Sequence, residues 1–136
     1  MTWEATLRDT KILSSKRYTC ATATGIPKGT LLCLSADQTA SIATEASIFV
    51  GVAHADVNKS TDTAFNTETS VTADKGAVYE MVSSGSIGLG KWVKCAGYNK
   101  VVVATTADVG SAAKIIVGMA LDAGSDGEVI NVEVFA

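Results

Sequence analysis

The chain has 136 residues, a formal net charge of −3 and a pI near 5.0, a length at which one domain buries roughly two thirds of its unfolded surface without staples. Its 11 Lys and Arg are spread along the chain with no run longer than Lys16-Arg17, so the basic footprint that nucleic-acid binding needs is missing, and no apolar run reaches the roughly 18 residues of a membrane span. Hydrophobic residues make up 47% and charged residues 18%, with 20 Ala and 16 Thr, the composition of a rigid, well-covered module.

Residues 1–15 mix Trp3, Leu7, Ile12 and Leu13 with Glu4, Arg8, Asp9 and Lys11 in no sustained period. They read as an N-terminal arm that docks on another chain by strand addition or by draping, a frayed tail being the alternative. Met1-Thr2-Trp3-Glu4 lacks the basic and apolar regions of a signal peptide, which points to synthesis in a cytoplasm. From residue 16 to 136 the pattern is that of a single β domain. Short Val- and Ile-rich runs are cut by Gly, Asn and Asp, and no long segment carries helical spacing. Strands are expected at Arg17–Thr22, Thr30–Leu34, Ser47–Ala55, Thr67–Thr72, Val78–Val82, Lys91–Cys95, Lys100–Thr105, Lys114–Leu121 and Glu128–Phe135. Asp74-Lys75-Gly76 makes a turn, and Ala96-Gly97-Tyr98-Asn99 and Ser125-Asp126-Gly127 make hairpins, because Gly and Asn tolerate positive φ. Thr106–Ala113 is expected to form a short helical turn capped by Thr106, with Asp108 in its first turn.

A weak internal repeat organises the domain. Gly29-Thr30-Leu31-Leu32-Cys33, followed by Val50-Gly51-Val52-Ala53, is echoed by Gly90-Lys91-Trp92-Val93-Lys94-Cys95, followed by Val117-Gly118-Met119-Ala120. A period of about 60 residues predicts two related β-hairpin units around a shared core, as in a small barrel or clip, neither able to bury its face alone. The glycine of each Val-Gly-x-Ala element marks a bulge or a close backbone crossing.

Catalytic candidates are few. His54 is the sole histidine, with Asp56 two residues on, and it reads as a surface or interface histidine, a triad being the alternative. Asp122, Asp126 and Glu128 surround a turn without EF-hand spacing and read as turn formers, with a calcium site as the alternative. Gly85-Ser86-Ile87-Gly88-Leu89-Gly90 is not followed by a helix or by the Gly-Lys-Ser/Thr of a phosphate cradle and reads as a hairpin connection. Cys20, Cys33 and Cys95 have no metal or redox spacing and read as small buried residues. Trp3, Trp92, Tyr18, Tyr79 and Tyr98 do not cluster along the chain and read as core or interface anchors. No catalytic residue, cofactor or metal is assigned, and the chain is expected not to be an enzyme.

The arm, Ile26-Pro27-Lys28-Gly29 leading into the first hairpin, Phe49-Val50-Gly51-Val52-Ala53, and the closing Val117-Gly118-Met119-Ala120-Leu121-Asp122-Ala123-Gly124 and Gly127-Glu128-Val129-Ile130-Asn131-Val132 resemble the capsid cement, or head-decoration, proteins of tailed phages. The resemblance runs over nearly the whole chain and rests on order more than identity. It implies an all-β barrel or β-tulip-like module on the outer surface of the expanded phage capsid, stabilising it against packaged DNA. Its partner would be the major capsid protein, its assembly a homotrimer, and its place the virion, with no nucleic acid or membrane contact. The arm residues Trp3, Leu7, Arg8, Ile12 and Leu13 would then touch the capsid. The stretch Asp56–Lys75 is longer than such a module needs.

Two other classes share parts of this pattern. A phage tail, fibre or carbohydrate-binding β module predicts an exposed aromatic cluster or a ligand pocket. A small hydrolase predicts His54 within hydrogen-bond reach of Ser, Thr or Cys in a concave pocket.

Overall fold

A computed structural model describes residues 6–7, 14–20, 25–57, 70–111 and 113–135. Among them the strands are β1 (Thr6–Leu7), β2 (Ser14–Cys20), β3 (Leu31–Ala36), β4 (Thr39–Ile42), β5 (Phe49–Ala53), β6 (Ser70–Lys75), β7 (Val78–Ser83), β8 (Trp92–Gly97), β9 (Lys100–Val103), β10 (Ile116–Ala120) and β11 (Val129–Val134). A short helix, α1 (Thr106–Ser111), and a 3₁₀ turn at Ala113–Ile115 join β9 to β10. The fold is all-β, as the sequence pattern predicts. Alternation makes the strands: in β7, Tyr79, Met81 and Ser83 are buried while Val78, Glu80 and Val82 are half-buried, and branched side chains suit such a pleated, one-sided surface.

Strands β2 to β6 close into a barrel in the order β2-β4-β3-β5-β6. One parallel contact, Thr19 with Thr39 and Cys20 with Ala40, seals it. Strands β7 to β11 follow the same plan in the order β7-β11-β10-β8-β9. Here the sealing parallel contact is Val82 with Lys100 and Ser83 with Val101. Each unit is therefore a five-stranded ring, larger than a hairpin, and β1 adds to β7 beside Tyr79 and Glu80.

The two rings correspond residue by residue. The register Leu31 with Val52 recurs as Trp92 with Met119, and Val52 with Asp74 recurs as Met119 with Glu133. The Gly29 N–H donates to the Ala53 carbonyl and the Gly90 N–H to that of Ala120, each at the same turn of its ring. The bridge of Ile26 to Val57 recurs as Ile87 to Gly124, which makes the glycine-rich segment before β8 the counterpart of Ile26-Pro27-Lys28-Gly29. Positive φ falls at Gln38 (48°) and Asn99 (55°), the equivalent positions of the β3–β4 and β8–β9 turns. The cysteines do not correspond: the bulges at Leu34/Ala36 and Cys95/Gly97 match, so Cys95 stands in the place of Leu34.

The glycines of the two Val-Gly-x-Ala elements sit where backbones cross. A Cβ on Gly51, whose φ is +141°, would lie 2.8 Å from the Asp74 carbonyl oxygen. A Cβ on Gly118 would overlap the Glu133 carbonyl oxygen, the equivalent atom of the second ring. No side chain fits either place.

Two apolar clusters hold the rings. Leu32, Val50, Val71 and Ile26 fill the first ring. Met81, Val93, Val101, Ile130 and Val132 fill the second, and the same cluster takes in Leu31, Phe49 and Val52 of the first. Since Leu32 points into its own ring, Leu31 beside it points out, so the outer β3–β5 face of the first ring is pressed onto the second. Leu31 and Val52 are fully buried there, each contributing about 1.5–3 kcal/mol. Across the junction the Leu31 N–H donates to Asn99 Oδ1 at 3.0 Å.

Two strands escaped the sequence reading, β1 and β4; Asp37-Gln38 is not a common turn pair, and β4 has only four residues. The cap of α1 is Thr105, not Thr106. Its Oγ1 accepts from the Asp108 N–H at 3.2 Å, and Asp108 Oδ2 accepts from the Thr105 N–H at 2.8 Å, a reciprocal pair.

Candidate functional site

His54 follows β5, and its Nδ1 lies 2.5 Å from Asp74 Oδ2 rather than engaging Asp56. Ser15 Oγ donates to Asp74 Oδ1 at 2.7 Å. A carboxylate thus stands between the hydroxyl and the imidazole, whereas a relay that activates a nucleophile needs the imidazole between the other two. The Asp74 side chain is 3% exposed and that of His54 56%. The group ties β2, β5 and β6 together at the ring junction. There burial, with the Asp74 carboxylate nearby, pushes the Tyr79 phenol up to about 12.

The acidic residues near the last turn hold backbone. Asp126 Oδ1 accepts from the Gly85 N–H at 2.7 Å, and Glu128 Oε1 from the Ser125 N–H at 2.7 Å. Asp122 Oδ2 accepts from the N–H of Asn131 at 3.0 Å and from its Nδ2 at 2.6 Å. Asp56 Oδ1 accepts from the Lys28 N–H at 2.6 Å. Lys94 donates to Asp108 at 2.7 Å; this bond and those from Thr105 pull the Asp108 carboxyl down to about 2. Cys20 and Cys95 are buried and Cys33 half-buried, and burial pushes the Cys95 thiol up.

Of the arm residues singled out in the sequence, Trp3, Arg8, Ile12 and Leu13 lie outside the described residues. Leu7 belongs to β1, paired with Tyr79 of its own chain. The strand addition expected on another chain is therefore, at Thr6 and Leu7, made within this one, and Ser14 and Ser15 already belong to β2.

Two surface features were missed. On the outer face of the second ring, Trp92 is 40% exposed. It meets Phe135 edge to face, centroids 5.2 Å apart, and pairs with Met119, itself paired with Glu133. On the first ring, Ser14, Lys16, Tyr18, Val50, Ala73 and Lys75 line a pocket of about 90 Å³. Lys75 Nζ lies 5.5 Å from the centre of the Phe49 ring, and burial, with Lys16 second, pulls its ammonium down. The signal for both was the repeat, had its alignment been carried into β2 and β11.

No protein-family model and no curated protein matches the sequence. Among solved structures the chain is similar to the head fiber gp8.5 N base in bacteriophage phi29, with a TM-score of 0.55 and 18% identity over 89% of this chain and 92% of that one. A likeness at this identity is a likeness of fold, and it spans both rings.

Proposed function

We propose that the chain is a structural protein of a bacteriophage virion that binds the outer surface of the expanded head and stabilises it against internal DNA pressure. The observation that carries this reading is the two-ring fold shared with a protein named for the phage head. A cement protein needs stiffness and contact surface rather than a reactive centre. The rings supply stiffness through strands whose edges are sealed, and the side chains nearest to a catalytic arrangement, His54 and Asp74, join strands instead. No catalytic step is assigned.

The partner in this reading is the major capsid protein, contacted through the arm residues Trp3, Leu7, Arg8, Ile12 and Leu13, and the assembly on the head is a homotrimer. Many copies bridging neighbouring shell subunits turn modest interfaces into a large joint constraint, because each second contact is intramolecular. The neighbour's name also favours a second reading, that of a base anchoring a fibre on the head. It shares the attachment and differs in what projects outward.

Cosedimentation of the purified protein with expanded heads and with unexpanded shells tests the attachment. Saturable binding to expanded heads, weakened by deletion of residues 1–13, is expected; absence of binding to either shell overturns the reading.

A further inference from the structure

The ring junction inside the chain has a vacant counterpart on each side. Within the chain, the outer face of the first ring, Leu31, Val52 and Asp74, sits against Tyr79, Val134 and Asn99 of the second. Carrying the repeat through, the counterparts of Leu31, Val52 and Asp74 are Trp92, Met119 and Glu133. Those of Tyr79, Val134 and Asn99 are Lys16, Lys75 and Gln38, by position along β2, β6 and the β3–β4 turn. Trp92, Glu133, Lys16 and Gln38 are exposed, and Met119 and Lys75 half-buried. Among the described residues the second ring therefore offers an uncovered inserting face, and the first an uncovered receiving surface holding the pocket of about 90 Å³.

We infer that a second copy of this chain fills that place: the Trp92, Met119 and Glu133 face of one copy docks on the Lys16 and Lys75 pocket of the next, repeating between chains the junction made within one. Charge selects this occupant. Where the inner junction sets Asp74 near the neutral Tyr79 phenol, the outer one sets Glu133 against Lys16. Two lysines around one pocket repel each other, and an incoming carboxylate relieves that repulsion. The Trp92 and Phe135 rings supply the apolar anchor and a surface for the lysine stems. Such a contact joins unlike surfaces, so copies close into a ring or continue as a file. The inference goes beyond attachment to a shell and does not depend on it.

Sedimentation velocity of the full chain tests it, with Lys16→Glu, Glu133→Lys and the double reversal. The wild type is expected to associate with rising concentration, and each single reversal to weaken association about tenfold or more. The double reversal is expected to restore it. Trp92→Ala, which leaves the charges in place, is expected to weaken it as well. A wild type that stays monomeric at all concentrations, single variants that associate like the wild type, or a double variant no better than the singles would each overturn the inference.

Discussion

At Leu31 and Trp92 the chain places two apolar side chains on the same strand position of two equivalent rings, yet one is fully buried and the other 40% exposed. The difference lies in what stands opposite. The second ring covers Leu31, and among the described residues no element covers Trp92. Equivalent backbone thus carries two jobs, one face closing the molecule and its counterpart open to a partner, and side-chain choice follows the neighbour rather than the strand.

The comparison breaks most sharply by truncating its two members. Leu31→Ala is expected to cost ~2–5 kcal/mol of unfolding free energy. Trp92→Ala, at a side chain 40% exposed, is expected to cost less, its edge-to-face pair with Phe135 contributing about 0.5–1.5 kcal/mol of the loss, and urea denaturation of dilute samples measures both. If Trp92→Ala costs as much as Leu31→Ala, the second ring's face is not the open one.

The glycine crossings test whether the rings are equivalent where they should be. Gly51→Ala and Gly118→Ala both drive a methyl into a carbonyl, and each is expected to cost ~1–3 kcal/mol or more. A large loss at one site only would contradict the shared plan.

Turn residues sharpen the contrast at smaller scale. Asn99→Gly keeps a residue tolerant of φ 55° but deprives the buried Leu31 N–H of its acceptor, at ~1–3 kcal/mol. Gln38→Gly, at the exposed counterpart, is expected to stay within about 0.5 kcal/mol.

A further contrast appears only in alkali. Tyr79 is raised from 10.0 to about 12 in the folded protein, so the unfolded chain loses its proton first. That contribution is whole below pH 10 and falls away as pH rises toward 12. Tyr79→Phe is expected to flatten the stability profile across that window, read by denaturation at successive pH values.

How much of this was legible beforehand varies along the chain. Nine strands were readable because alternation and branched side chains mark them locally, and the Val-Gly-x-Ala repeat announced both close crossings. β4 was not readable, since Thr39–Ile42 is too short to show a period and its turn uses Gln38 at positive φ. The pairing of Asp74 with His54 and Ser15 is set by register across three strands, which spacing along the chain does not encode. The same holds for the faces around Trp92 and Lys16: their residues are far apart in sequence and meet only when each ring closes.

The central claim, a stiff two-ring body working by contact on the outside of a phage head, meets its most direct test in a cryo-EM reconstruction of virions carrying the chain. The account predicts paired-ring density bound to the outer face of the expanded shell, with the N-terminal segment on either side of β1 in contact with shell subunits. Density for the chain inside the head or on the tail alone, with a bare outer shell, would contradict it.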